Sequence, residues 1–162
     1  MIFVTVGTHE QPFNRLIECV DQLKGSGKIE EDVVIQTGFS TYEPKHCTWQ
    51  KLYGFEEMDE FNHKARIIIT HGGPSSFIMP LQLGKIPIVV PRRSEFGEHV
   101  NNHQVKFCNW VAEKQKNIIV VNKTIKLEKI IRNYDDIISH MDVGAVSHNA
   151  EFCKEFEKLV MS

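Results

Sequence analysis

Short β-branched runs that lead through a turn into a helical segment recur along this chain of 162 residues. The clearest one, Ile67-Ile68-Ile69, is short and apolar enough to be buried on both faces, as the strands of parallel sheets are. It continues into the turn of residues 71–76, His-Gly-Gly-Pro-Ser-Ser, and then into an apolar helix. Because parallel strands need helical crossovers, this alternation predicts an α/β fold: one doubly wound parallel sheet with its ligand at the carboxyl ends of the strands.

The same alternation extends over the chain and predicts a single domain, residues 1–162. The predicted strands are residues 2–6, 33–38, 49–55, 67–69, 86–90 and 118–121. The predicted helices are residues 13–23, 58–65, 98–114 and 147–159, one that starts at Pro74 and one that starts near Thr124.

The turn of residues 71–76 has the composition of an anion-binding turn. Its two glycines let the backbone bend tightly and approach a ligand, and Pro74 has the fixed φ of a first helical position. Unpaired N–H groups and the positive end of the helix macrodipole favour an anion such as a diphosphate. The predicted phosphate-binding residues are His71, Gly72, Gly73, Ser75 and Ser76. Taken alone, these six residues are equally compatible with an ordinary turn capped by serine.

Polar side chains follow the next predicted strand as well. Arg92 and Arg93 come directly after residues 86–90, so their guanidinium groups are expected to emerge at the same sheet edge and to meet phosphate oxygens. Residues 98–104, Glu-His-Val-Asn-Asn-His-Gln, open the next predicted helix with side chains that can both donate and accept hydrogen bonds. Sugar hydroxyls require that dual capacity, so Glu98 and its neighbours are predicted sugar contacts.

Together these motifs resemble the nucleotide-sugar-binding half of GT-B glycosyltransferases. The Thr-His-Gly-Gly turn and the Asn-His-Gln ending are similar to the family that contains the peptidoglycan N-acetylglucosaminyltransferase. The same family contains the catalytic subunit that adds the second N-acetylglucosamine to dolichol-diphosphate. The start of the chain, MIFVTVGTHEQPFNRLI, resembles soluble galactosyltransferase subunits of bacterial capsule and exopolysaccharide synthesis.

The resemblance implies a single Rossmann-like sheet equivalent to the C-terminal half of a GT-B fold. It also implies that residues 71–76 hold the diphosphate of a UDP-sugar, by likeness UDP-galactose, while Asn101 and Gln104 face the donor sugar. No metal and no tightly bound cofactor is implied. Related donor domains commonly hold the ribose with a glutamate eight residues after the histidine, where this chain has Met79; Gln82 shares that helix face.

Such enzymes use two domains that face each other across a cleft, and this chain supplies one. The resemblance therefore implies a membrane-associated partner subunit that binds a lipid-diphosphate-linked acceptor and recruits this chain to the inner face of the membrane. Two other functions stay open. A nucleotide-sugar epimerase uses the same scaffold but needs both halves in a longer chain, and a non-catalytic subunit would bind a nucleotide sugar and regulate a partner.

Glycosyl transfer needs a base for the acceptor hydroxyl, and the turn after the first strand offers two. His9 is the preferred candidate, because it follows the strand at the carboxyl edge and an imidazole has a suitable ordinary pKa. Glu10 is the alternative, and a base supplied by the partner is another. In a further interpretation Gly7 and Thr8 bind phosphate or acceptor together with His9, which then has no role as a base.

Composition excludes several other classes of function. A net charge of -2 and a pI near 6.4 argue against a general nucleic-acid binder. The four cysteines are widely spaced, and no apolar leader or run of roughly 20 apolar residues is present, so a cytoplasmic protein is expected. His99 and His103 share a helix face but have no third ligand in the sequence, so a metal site is not expected.

Overall fold

The computed structural model describes residues 1–141. Within them, six parallel strands form one sheet with the strand order β3-β2-β1-β4-β5-β6. The strands are β1 Ile2–Thr5, β2 Val33–Gln36, β3 Thr48–Gln50, β4 Ile67–His71, β5 Ile88–Val90 and β6 Ile119–Val120. The predicted doubly wound parallel sheet is therefore confirmed, while the predicted helix over residues 147–159 lies outside the described residues.

Helices connect the strands and cover both faces of the sheet. They are α1 Asn14–Gly25, α2 Phe55–Lys64, α3 Pro74–Gln82, α4 His103–Gln115, α5 Leu127–Arg132 and α6 Tyr134–Ser139, with short 3-10 turns at Ser94–Phe96 and Thr124–Lys126. In residues 1–141, no helix combines the length and the apolar composition that crossing a membrane would require.

Successive side chains of the central strand β1 point to opposite faces of the sheet and pack into two separate cores. Ile2 and Val4 pack with α1, while Phe3 points to the opposite face and packs with Ile68 and the partly buried Phe61 of α2. This two-sided burial explains why the strands read as continuous apolar runs. The order of the strands reverses between β1 and β4, and in sheets of this kind the crevice at that point holds the ligand.

Several predicted elements begin or end at other residues, and two of them differ by five residues at one end. The third strand is only Thr48–Gln50, and the predicted continuation to residue 55 is wrong because α2 already begins at Phe55. Helix α4 begins at His103, five residues after the predicted start at Glu98. The Glu98 carboxylate is tied to Arg15 and to the amide of Arg93, which holds residues 98–102 in a turn.

Candidate functional site

A cavity of about 450 Å³ lies at the carboxyl ends of β1, β2 and β4. Seven of the residues predicted for the site line it: Gly7, Thr8, His9, His71, Ser75, Ser76 and Gln104. The turns after β1 and β4 are far apart in sequence, and the adjacent parallel pairing of these strands brings them together. The predicted edge of the sheet is thus a concave site whose walls carry both polar and apolar groups.

His71 ends β4 and is buried under the floor of this cavity, with 6% of its surface exposed. Its Nδ1 lies 3.3 Å from the amide nitrogen of Gly73, 3.4 Å from Arg92 Nε and 3.4 Å from Gln104 Nε2. All three groups are donors, so Nδ1 is the acceptor and the neutral ring carries its proton on Nε2. Burial lowers the pKa of His71 to about 3, and the positive charge of Arg92 adds to this effect.

The proton on His71 Nε2 determines what Ser76 can do. Nε2 lies 2.7 Å from Ser76 Oγ, so the ring donates to that oxygen and leaves the hydroxyl hydrogen of Ser76 available to the cavity. The amide of Ser76 donates to the carbonyl of Gly73 at 3.0 Å. Ser75 is exposed at the second position of α3, so its amide has no carbonyl acceptor within the helix. The start of α3 therefore presents the Ser75 amide and two hydroxyls as donors.

Two glycines enclose the His71 ring. A Cβ placed on Gly7 would lie 2.3 Å from His71 Nε2, and one placed on Gly73 would lie 2.3 Å from Cε1. Gly7 also has a positive φ of 72°. The imidazole is therefore wedged between the backbones of the β1–α1 and β4–α3 turns, and only glycine allows both to approach it this closely.

Arg92 lies at the predicted edge, but it is 1% exposed and does not line the cavity, so the expectation that its guanidinium emerges to meet phosphate oxygens is wrong. Its Nη2 donates to the carbonyl of Val6 at 2.7 Å, and its Nη1 donates to the carbonyls of Gln11 and Glu98 at 2.7 and 3.0 Å. The Phe13 ring lies 5.0 Å from the guanidinium carbon. Arg92 thus ties together the turns that form the site, and burial lowers its pKa to about 10.

Arg93 and Glu98 also point away from the cavity. Glu98 is buried, and its carboxylate accepts from Arg15 Nε at 3.0 Å, Arg15 Nη2 at 3.1 Å and the amide of Arg93 at 3.0 Å. The Arg93 guanidinium bonds Glu95 and Asn122 at 3.0 and 3.1 Å. Charged residues after a strand predicted the right edge here, but their internal pairing decided where the side chains point.

His9 lies on the cavity wall and stacks on His99, with ring centroids 4.6 Å apart and planes at 9°. Its Nε2 forms a hydrogen bond with Gln11 Oε1 at 2.9 Å. Burial, and then the neighbouring His9, lower the pKa of His99. The alternative base Glu10 is exposed and does not line the cavity.

Two other predicted sugar contacts are engaged within the protein. The Oδ1 of Asn101 accepts from the amide of His103 at 3.0 Å, and Asn101 does not line the cavity. Gln104 does line it, but its Oε1 accepts from the amide of Arg92 at 3.0 Å and its Nε2 faces His71. Gln104 therefore fixes the His71 ring from one side.

The pattern of motifs missed several residues of the wall. They are Thr5, Gln36, Met58 and Asn62, whereas Met79, which also lines the cavity, was named only as the residue at the expected ribose position. Thr5 and Gln36 end their strands, so the rule that carboxyl ends share an edge could have found them. Met58 and Asn62 belong to α2, which carries no motif. Gln82, by contrast, is exposed and does not line the cavity.

A second cavity of about 580 Å³ lies between the start of α3 and one face of α4. Gln104 contributes to both cavities, and Phe107, Trp110 and Lys106 line the second one.

Within residues 1–141, no group of three or more His, Cys, Asp or Glu side chains is arranged to hold a metal ion.

Acidification is expected to destabilise the fold through His71. Its pKa is about 3 in the folded protein and 6.5 ordinarily, so between these values the unfolded chain binds a proton that the folded protein does not. Stability present above pH 6.5 is therefore lost as the pH falls toward 3, at up to about 1.4 kcal/mol per pH unit. Urea unfolding between pH 4.5 and 7 should show a clearly steeper slope in the wild type than in His71→Gln, in which the smaller contribution of His99 remains. The same slope in both proteins would contradict it, and the exposed His140→Gln is the control.

Comparison with known proteins supplies the family. Residues 1–161 match the model of the glycosyltransferase family 28 C-terminal domain. The human UDP-N-acetylglucosamine transferase subunit ALG13 is 32% identical to this chain over 122 residues, which are 70% of this chain and 10% of that protein. The chain thus spans about a tenth of the length of this relative.

Solved structures with the same fold include two glycosyltransferases. The glycosyltransferase SnogD from Streptomyces nogalater superimposes with a TM-score of 0.56 at 15% identity, and the glycotransferase of kitacinnamycin with a TM-score of 0.62 at 13% identity. Each match covers 97% of this chain and 39% of the other, and at these identities it shows the fold alone. Because the family model extends over nearly every residue, the chain belongs to the family of glycosyltransferase family 28 C-terminal domains.

Proposed function

We propose that this chain is the donor-binding subunit of a glycosyltransferase that takes a UDP-hexose and transfers the sugar to a lipid-diphosphate-linked acceptor. The observation that carries the proposal is the start of α3, where the neutral His71 directs the Ser76 hydroxyl into a polar cavity beside the free amide of Ser75. Hydroxyl and amide donors at a helix N-terminus suit a diphosphate.

The same arrangement suits the chemistry of glycosyl transfer. Negative charge builds on the leaving diphosphate as the glycosidic bond breaks, and donors that are already oriented stabilise it without reorganisation. His9 is the proposed base, because its imidazole follows β1 at the carboxyl edge and lines the same cavity. Gly7 and Thr8 are proposed phosphate contacts, whereas Arg92 and Gln104 are proposed to position His71.

Exposed apolar side chains at the carboxyl edge support a partner subunit. Phe39 follows β2, Leu52 and Phe55 follow β3, and Phe96 and Val100 follow β5, and all five are exposed. Their positions after three different strands put them at the same edge of the sheet as the cavity, which supports a shared surface. We propose that a membrane-associated, acceptor-binding subunit covers this edge and completes the cleft, as in bacterial capsule or exopolysaccharide synthesis.

The donor sugar is proposed from the similarity of this chain to known proteins. The resemblance to exopolysaccharide subunits favours UDP-galactose, whereas the name of the human relative points to UDP-N-acetylglucosamine. These donors differ by the orientation of one hydroxyl or by one acetamido group, which a few contacts distinguish. A panel of radiolabelled UDP-hexoses, tested with lipid-diphosphate acceptors and this chain co-expressed with its candidate partner, decides between them.

Substitution of the proposed base should separate catalysis from binding. We expect His9→Ala to lower kcat by roughly 100- to 10,000-fold in the co-expressed pair, because the acceptor hydroxyl loses its base, while the Kd for UDP changes little. The exposed His63, which bonds the carbonyl of Asp59, provides the matched control His63→Ala. Full activity of His9→Ala would place the base elsewhere. Binding of UDP without any transfer would favour a regulatory subunit, and a chain whose Gly73 and Ser75 amides do not respond to UDP in NMR spectra would refute the proposal.

A further inference from the structure

Asn62, near the end of α2, forms part of the cavity wall although it is only 4% exposed. Its Nδ2 donates to the carbonyl of Met58 at 2.8 Å and to Met79 Sδ at 3.3 Å. A carbonyl oxygen can only accept, so the amide group that faces it must be the nitrogen end. The orientation of the Asn62 side chain is therefore fixed, and both of its hydrogens are used.

The Oδ1 atom of Asn62 is left without a donor. Among residues 1–141, no N–H or O–H group lies within hydrogen-bond distance of it. The oxygen is not sealed inside the protein, and the cavity is the space that Asn62 lines. An acceptor that faces the cavity without a protein donor is available to a ligand that donates a hydrogen bond to it.

The position of Asn62 relative to the phosphate-binding turn indicates which part of a ligand would reach it. Met79 lies four residues after Ser75, so it occupies the same face of α3 one turn, about 5.4 Å, further along. Asn62 touches Met79 and is therefore one helical turn beyond the serines. In a nucleoside diphosphate the ribose follows the diphosphate directly, and its 2′ and 3′ hydroxyls are the next donors along the molecule.

We propose that Asn62 Oδ1 accepts a hydrogen bond from a ribose hydroxyl of the bound nucleotide, an inference that rests on the proposed function. The apolar side chains of Met58 and Met79 line the cavity beside it, and they lower the local polarity in which the hydrogen bond would form. The acceptor thus comes from α2 as a neutral amide, and Met79 holds that amide in place instead of contacting the ribose itself.

Binding of deoxynucleotides to the purified chain tests the assignment. Titration calorimetry with UDP, 2′-deoxy-UDP and 3′-deoxy-UDP should show that the wild type binds one deoxy analogue about five-fold more weakly than UDP, the effect of one neutral hydrogen bond. Asn62→Ala should weaken UDP binding by a similar factor and should bind that analogue as the wild type does, because the bond is already lost. Gln82→Ala, an exposed amide on α3 outside the cavity, is the control and should match the wild type.

Three results would overturn the inference. One is equal affinity of the wild type for UDP and both deoxy analogues, which decides the matter even where Asn62→Ala does not fold. The second is an Asn62→Ala protein whose affinities for UDP and both deoxy analogues are lowered by the same factor, which indicates a structural role. The third is that N3-methyl-UDP, unlike UDP and the two deoxy analogues, binds Asn62→Ala with the same affinity as it binds the wild type. This result would move the contact from the ribose to the base. A wild type that binds no UDP at all would instead refute the proposed function.

Discussion

Replacement of Gly7 by alanine is expected to abolish UDP binding and to lower the free energy of unfolding by about 3 kcal/mol or more. Two causes add. The positive φ of 72° strains any side chain, and the new Cβ would lie 2.3 Å from His71 Nε2, so the ring must leave the position from which it orients Ser76. Urea unfolding and calorimetric titration with UDP measure the two losses.

Gly27 provides the matched control for this prediction. Its φ is 80°, and a Cβ there would meet nothing within 4 Å, so Gly27→Ala carries only the backbone strain of about 1–2 kcal/mol and should bind UDP normally. Gly73→Ala tests the contact with the ring without the backbone strain, because the φ of Gly73 is -70° and a Cβ there would still lie 2.3 Å from the His71 ring. Equal losses of stability in Gly7→Ala and Gly27→Ala would show that the ring is not wedged.

The substitution Arg92→Lys is expected to lower the free energy of unfolding by about 3 kcal/mol, although it keeps the positive charge. A lysine ammonium lacks the planar fork that reaches the carbonyls of Val6, Gln11 and Glu98, so buried acceptors lose their charged donor. Because two of these carbonyls belong to the turn that carries His9, UDP binding should weaken as well. Thermal and urea unfolding check the first effect, and calorimetry the second.

Arg132→Lys is the control for this substitution. Arg132 is 65% exposed and its guanidinium lies 3.9 Å from Glu128, so its replacement should change stability by less than about 0.5 kcal/mol. If Arg92→Lys proved as mild as Arg132→Lys, the turns at the carboxyl edge would be held by other contacts and the role assigned to Arg92 would be wrong.

The fold could be predicted because its determinants are local. Runs such as Ile67-Ile68-Ile69 need burial on two faces, and Pro74 after two glycines starts a helix as expected. Parallel pairing then brought the turns after β1 and β4 to one cavity, so most of the glycine, serine and histidine positions of the candidate site were found from sequence alone.

Side-chain direction could not be predicted in the same way. Arg92 and Glu98 are charged and follow a strand, and nothing local indicates that one bonds buried carbonyls and the other pairs with Arg15, 83 residues away. Asn62 was missed for a related reason: its proposed role depends on its contact with Met79, a residue of another helix. Interactions between distant segments decide these orientations, and a single sequence does not reveal them.

The imidazole of His71 is shut in between two backbone segments and keeps one protonation state from mildly acidic to alkaline solution. Substrate capture at the start of α3 should therefore hold constant when the acidity of the surroundings changes. The proposed diphosphate contact and the proposed base thus depend on two different histidines, His71 and His9, which line the same cavity.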